Sequence, residues 1–492
     1  MKNISVTKNT IFNILTNFLK ILLPLITIPY VSRILGPSNL GKINFMKSFL
    51  QYFIVFASLG IPWYANREIS KVKNEVDKRS KLFFEIQSIK FITIVIISII
   101  YFFIIYYIPS IVNNNVKLAY YFGILIFISF FDVKWFFQGM GEFGNETKSL
   151  LLSNFIYVPL VFLFIKDKND IYKYTLLFLL SKFLFFIILT FKTNSYLDLS
   201  GLSIKKIIGI SNINKHLNYI GWFFASQIAV LVYTNLDNLM IGYIQGEKEV
   251  GFYFAANRLI RVILPLVTSA GAVLLAKISS LNLKGQKDEI NYYLKKSTSL
   301  ILFIAIPAMI GLFFMADHII PLLFGAEYNS ILTLKILSPL LISIGLSNVY
   351  GFQILLPFNK EKQFSLIIIM GAIINITLNL ILINSIGYNG AAISTLVSET
   401  LIAFVEFLLI KKIVFNIHDW KQIYQFIISS MSMAIFIFVL KRYNFINFNL
   451  FWDTIIIIVL SISIYFLSLI LFKNKTLSWL LLEKLKINNL IN

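Results

Sequence analysis

The chain contains no cysteine, which excludes disulfides, thiolate metal sites and thiol nucleophiles together. Histidine is almost as scarce: His216, His318 and His418 all fall near the ends of apolar runs, without the spacing of metal ligands, so a metal-based chemistry is not expected. Charged residues make up 14% of the chain, and the longest polar stretches, near 62–82 and 192–215, run to about 20 residues, too short to fold as a soluble domain. A nucleic-acid-binding protein would gather its basic residues on a folded soluble surface, which this chain lacks. A membrane-embedded enzyme would present acidic or arginine-rich catalytic motifs on a sizeable loop, and none is present, so the chain is not expected to be an enzyme.

What is abundant is apolar sequence. Hydrophobic residues account for 58% of 492 positions, far more than a soluble core of this length requires. Runs of about 20 apolar residues, the length at which a helix crosses a hydrocarbon core, recur almost without pause. They predict spans near 10–33, 41–61, 83–108, 115–137, 148–165, 171–191, 216–243, 250–276, 295–316, 329–356, 364–384, 388–410, 422–440 and 452–472. The fold class expected is therefore all-α, a polytopic membrane protein of about fourteen helices. The first span follows Lys2 and Lys8 and carries no small-residue cleavage site, so it reads as a span and not as a removable signal peptide. Placing the N-terminus in the cytoplasm collects most lysines and arginines on one side, including the runs from Arg67 to Lys81 and from Lys277 to Lys296. That is the positive-inside arrangement with both termini cytoplasmic, and it accounts for most of the formal charge of +21.

An internal repeat divides the chain. The turn Ile34-Leu35-Gly36-Pro37-Ser38-Asn39-Leu40-Gly41 recurs 210 residues later as Ile244-Gln245-Gly246-Glu247-Lys248-Glu249-Val250-Gly251, with both glycines in register. This predicts one helix-turn-helix geometry, used twice, that needs glycine backbone freedom. The flanking helices correspond as well. Thr16, Asn17, Lys20, Pro24 and Thr27 form a stripe on the first, and the same offset gives Ser226, Gln227, Val230, Thr234 and Asp237 on the seventh. Asn44, Lys47, Ser48 and Gln51 on the second span have Phe254, Asn257, Arg258 and Arg261 as counterparts on the eighth. A fainter echo, at an offset near 215, pairs Gln138 and Glu146 with Gln353 and Glu361. Polar faces on spanning helices turn toward protein or water, because lipid satisfies no donor. Helices 1, 2, 7 and 8 are thus expected to line a cavity in a parallel-repeat, alternating-access design.

Four cations sit at membrane depth: Lys20, Lys47, Arg258 and Arg261. A cation in hydrocarbon costs about 3 kcal/mol even on lenient scales, so these residues point to a pathway for something anionic. The competing readings are an internal pair between Asp237 and Arg258 and, for Lys20, a side chain that snorkels to the interface. Glu399 and Glu406 are seven residues apart and share one face of the twelfth span, where they relay protons or, as the favoured reading for Glu406, pair with Lys411 and Lys412.

The segments "PLITIPYVSRILGPSNLGKINF", "NLDNLMIGYIQGEKEVGFYFAANRLIRV", "QILLPFNKEKQ" and "GYNGAAISTLVSE", in that order, resemble the Wzx-type polysaccharide-repeat-unit flippases. These belong to the multidrug/oligosaccharidyl-lipid/polysaccharide exporter superfamily, which also holds the multidrug-and-toxin extruders and the lipid II flippases. The resemblance covers nearly the whole chain. It implies two pseudo-symmetric six-helix lobes, 1–200 and 201–411, followed by helices 13 and 14 and a cytoplasmic tail over 412–492. It implies as cargo an undecaprenyl-diphosphate-linked oligosaccharide, moved from the cytoplasmic to the outer leaflet of the plasma (inner) membrane for O-antigen, capsule or a related glycan, with other glycan-assembly membrane proteins as conceivable partners. A diphosphate suits arginine forks and lysine point charges, so Lys20, Lys47, Arg258 and Arg261 are expected to hold it, with Asn17, Asn44, Gln51 and Gln227 as polar lining. Asp237, Asn375, Asn379 and Thr395 resemble the sodium site of related flippases and extruders. Where some relatives have a second carboxylate, this chain has Asn379, which leaves the site less negative. The competing reading is that Asn375 and Asn379 merely hydrogen-bond between helices. No bound cofactor is expected beyond Na+ or H+ as a coupling ion for antiport. The alternatives are a drug or small-molecule exporter of the same superfamily, against which the cavity cations argue, and a membrane-embedded glycan polymerase or glycosyltransferase.

Overall fold

The computed structural model describes residues 6–198, 210–443 and 448–479, and every regular element among them is helical. The chain forms two compact units, residues 1–251 and 252–492.

The first unit begins with α1 (Val6–Ser58), two helices in one because Gly36 adopts φ 72° and ψ 173° between them. Then follow α2 (Ile61–Val72), α3 (Val76–Tyr107), α4 (Val116–Ile128), α5 (Lys134–Met140), α6 (Phe143–Phe164), α7 (Ile171–Thr193) and α8 (Ile210–Ile244). The N-terminal half of α8 is fixed to α2 and α3 by a buried chain of polar side chains. His216 Nδ1 lies 2.6 Å from the Tyr64 hydroxyl, and its Nε2 lies 3.1 Å from Glu85 Oε2. By contacts α8 belongs with the first unit, although the sequence repeat starts the second half with it.

The repeated turns use their glycines in two ways. Gly36 and Gly246 both have positive φ, the backbone freedom the sequence predicts. Gly41 and Gly251 serve a different purpose: a Cβ on Gly41 would lie 1.6 Å from the Glu247 carbonyl oxygen, and one on Gly251 would lie 2.0 Å from that of Pro37. Since 37 and 41 correspond to 247 and 251 in the repeat, the contact is reciprocal, the signature of a pseudo-two-fold axis. Both contacts lie inside the first unit.

The second unit takes most of α9 (Glu247–Thr268), then α10 (Ala270–Leu283), α11 (Lys287–Leu323), α12 (Ile331–Leu337), α13 (Leu340–Ser347), a π-helical segment over Asn348–Leu355, α14 (Glu361–Ile386), α15 (Tyr388–Ile417), α16 (Trp420–Arg442) and α17 (Leu450–Leu471). The last two pack on α11 through Phe303, Phe426, Met433, Ile457 and Tyr465, and the Tyr465 hydroxyl donates to the Phe303 carbonyl at 2.8 Å.

Among the described residues eleven helices are long and apolar enough to cross a membrane, or twelve if the bent pair 26–58 and 61–72 is one span. Only 22% of the α6 window is buried, and Phe155 on that helix is 81% exposed. Apolar surface on this scale is stable only against lipid, so the protein is a multi-pass membrane protein.

Candidate functional site

In the first unit the cation candidates meet aromatic rings. Lys47, on the second segment of α1, places its ammonium 4.2 Å from the Phe178 ring centroid and 5.9 Å from that of Tyr174, both on α7. Lys182, one turn farther along α7, places its ammonium 5.6 Å from the same Phe178 ring. Two cations thus share one ring, each drawn to it by the quadrupole of the aromatic face. The sequence stripe on the second span pointed to Lys47, but Lys182 stood alone in its span, so no spacing rule could pair the two.

The polar lining is distributed along the same helices. Asn44 Nδ2 donates back to the Leu40 carbonyl at 2.7 Å. Ser48 is buried and accepts from Asn238 Nδ2 at 3.1 Å. Gln51 and Gln227 are both half-buried, and Gln227 Oε1 receives no hydrogen bond among the described residues. Asp237 is buried on α8, within electrostatic reach of Tyr52. The side chains of Asn17 and Lys20 lie outside the described residues.

In the second unit Arg258 is half-buried and Arg261 exposed, three residues apart on α9 and so on neighbouring faces. Asn375 and Asn379, on α14, are 4% and 0% exposed, and Asn379 Nδ2 donates to Asn375 Oδ1 at 3.2 Å. Thr395 lies on the adjacent α15 and donates to the Ala391 carbonyl at 2.9 Å. Among the four expected ion ligands, three therefore stand on α14 and α15, and Asp237 belongs to the first unit.

Three ionisable groups around the break between α4 and α5, Asp132, Lys134 and Lys90, have structural partners. Lys134 pairs with Asp132 at 3.1 Å, while buried Lys90 donates to the carbonyls of Phe130 and Asp132 at 3.3 and 2.8 Å. These contacts cap the break between α4 and α5.

A solved structure described as the lipid II flippase MurJ in its inward closed conformation superposes with a TM-score of 0.72 over 94% of this chain and 98% of that one, at 18% identity. The likeness is one of fold. A putative O-antigen transporter of Escherichia coli (strain K12) is 28% identical over 409 residues, covering 81% of this chain and 95% of the relative. A probable low-salt glycan biosynthesis flippase, Agl15, of Haloferax volcanii is 24% identical over 271 residues, covering 51% of this chain and 56% of the relative. Residues 6–282, more than half of the sequence, match the family described as polysaccharide biosynthesis protein. The chain belongs to the polysaccharide biosynthesis protein family.

Proposed function

We propose that this protein flips an undecaprenyl-diphosphate-linked oligosaccharide repeat unit from the cytoplasmic to the outer leaflet of the plasma (inner) membrane by alternating access, for O-antigen, capsule or a related surface glycan. The observation that carries the reading is the placement of cations along apolar spanning helices: Lys47 and Lys182 around Phe178 in the first unit, Arg258 and Arg261 on α9 in the second. A diphosphate offers two negative charges and many acceptor oxygens, which suit ammonium groups and guanidinium forks alike. The sugars then occupy the aqueous part of the cavity and the polyprenyl tail stays in the bilayer. The names of the E. coli and H. volcanii relatives, an O-antigen transporter and a glycan biosynthesis flippase, support the same cargo class.

Coupling in this reading is antiport of Na+ or H+. The oxygens of Asn375, Asn379 and Thr395, on α14 and α15, suit a hard cation, and the contact between the two asparagines keeps their side chains together on one face of α14. Both termini lie in the cytoplasm, as the lysine-rich loops require.

The test is charge reversal. Arg258→Glu and Arg261→Glu are expected to reach the membrane in normal amounts and to abolish glycan export in cells. Export at the normal rate by both variants would overturn the cation assignment.

A further inference from the structure

The second unit buries a carboxyl group that the cargo reading does not use. Glu406 lies in α15 at 0% exposure, and neither of its oxygens receives a hydrogen bond among the described residues. The sequence favours a pairing with Lys411 or Lys412, but no such ion pair forms: both lysines are exposed. The helix explains why. Five and six residues along, a side chain stands about 140° and 240° around the axis from Glu406. The lysines therefore face outward while the carboxyl faces in.

What it faces is the π-helical segment Asn348–Leu355. A Cβ on Gly351 would lie 2.6 Å from Glu406 Oε1, so the carboxyl rests directly on the backbone of a rare helical form that recurs at functional sites. The titratable groups in electrostatic reach of Glu406 are Tyr350, on the π segment, and Glu399, two turns back on α15; the Ser347 hydroxyl at the end of α13 stands beside it. None of the three is a cation. An ionised carboxylate does not persist in such a place; the group carries a proton or holds a metal cation.

A polar path leads out from it. Tyr350 is 3% exposed, and its hydroxyl lies 3.2 Å from His418 Nε2, with the two rings stacked at 25°. His418 follows α15 at the lysine-rich face that carries Lys411, Lys412 and Lys421, and its Nδ1 has no hydrogen-bond partner among the described residues. Burial pushes this imidazole down to about 4, so at neutral pH it is uncharged, with one nitrogen donating and the other accepting, the form in which histidine passes protons. The neighbouring Asp419 is occupied elsewhere, paired with Lys295 at 3.4 Å and bonded by Gln422 Nε2 at 2.9 Å.

We propose that Glu406 is a buried site for a monovalent cation, that the cation is a proton, and that Tyr350 and His418 connect it to the aqueous face at the end of α15. On release, the carboxyl proton passes to the Tyr350 oxygen, directly or through one water. The phenol proton moves to His418 Nε2, and the proton on Nδ1, a buried atom, leaves once a water reaches that nitrogen. One proton leaves the site and no bond between heavy atoms changes. This goes beyond the cargo reading and does not depend on it, because the site is read out without any lipid substrate.

The experiment is infrared spectroscopy of the purified full-length protein in nanodiscs at neutral pH. The wild type is expected to show the carbonyl band of a buried protonated carboxyl, absent in Glu406→Gln and shifted in Glu406→Asp, which keeps the acid and so separates loss of the acid from loss of the fold. In deuterated water, exchange of that band is expected to slow at least tenfold in Tyr350→Phe and His418→Ala. A band unchanged in Glu406→Gln overturns the assignment of the proton. A band erased by added Na+ but not by choline makes the cation sodium and overturns the proton reading. Exchange at the wild-type rate in both relay variants overturns the path.

Discussion

The reciprocal glycine contact makes a quantitative prediction. Non-bonded heavy atoms settle about 3.5 Å apart. A Cβ on Gly41 lies 1.6 Å from the Glu247 carbonyl oxygen and one on Gly251 lies 2.0 Å from that of Pro37, so Ala at either site forces the two turns apart by about 1.5–2 Å. Both neighbours are backbone, which no rotamer change relieves. Overpacking of this kind costs about 1–3 kcal/mol, against a gain of about 0.5–1 kcal/mol from replacing a helical glycine. Gly41→Ala and Gly251→Ala are thus each expected to lose about 1–2 kcal/mol. Gly221, on α8, is the control: a Cβ there meets nothing within 4 Å, so Gly221→Ala gains about 0.5–1 kcal/mol from the same propensity term.

The assay is thermal unfolding of the detergent-solubilised protein, followed by tryptophan fluorescence. Because both substitutions open one contact, the double variant is expected to lose less than the sum of the singles, with a coupling energy of about 0.5–3 kcal/mol. Gly41→Ala and Gly221→Ala unfolding at the same temperature, or strict additivity of Gly41→Ala and Gly251→Ala, would refute the reasoning.

Two further outcomes follow from the site. Phe178→Leu removes the ring shared by Lys47 and Lys182, a contribution of about 0.5–2 kcal/mol per cation, and is expected to lower glycan export several-fold in cells, as is Lys182→Gln; normal export by both would detach this pair from the cargo. Asn379→Asp adds a carboxylate to the oxygen set on α14 and is expected to strengthen Na+ binding, read as a lower half-saturating Na+ concentration for thermal stabilisation of the purified protein; unchanged Na+ dependence would count against an ion site there.

Much of the architecture was legible because a bilayer imposes one length and one polarity on every element that crosses it. The repeat was legible too, since its two turns carry glycines at the same offset. Sequence could not separate their roles: Gly36 and Gly246 supply positive φ, whereas Gly41 and Gly251 admit a backbone that approaches from far along the chain. The same limit applies to the site. Lys47 stood out on its own helical stripe, but its relation to Lys182 runs through a ring on another helix. Glu406 was matched to lysines close in sequence because proximity along the chain says little about facing, and the π segment against which it rests has no periodicity that marks it. Asn375 and Asn379 were legible as an i, i+4 pair, and the hydrogen bond between them is what that spacing allows.

The central claim is most directly tested by reconstituting the purified protein in sealed vesicles that carry a polyprenyl-diphosphate-linked oligosaccharide in one leaflet, and measuring its appearance in the other beside uptake of a cationic dye. The account predicts transfer of the lipid-linked oligosaccharide, lost in Arg258→Glu, with no movement of the dye. Dye transport without transfer of the lipid, or equal lipid transfer by Arg258→Glu, would contradict it.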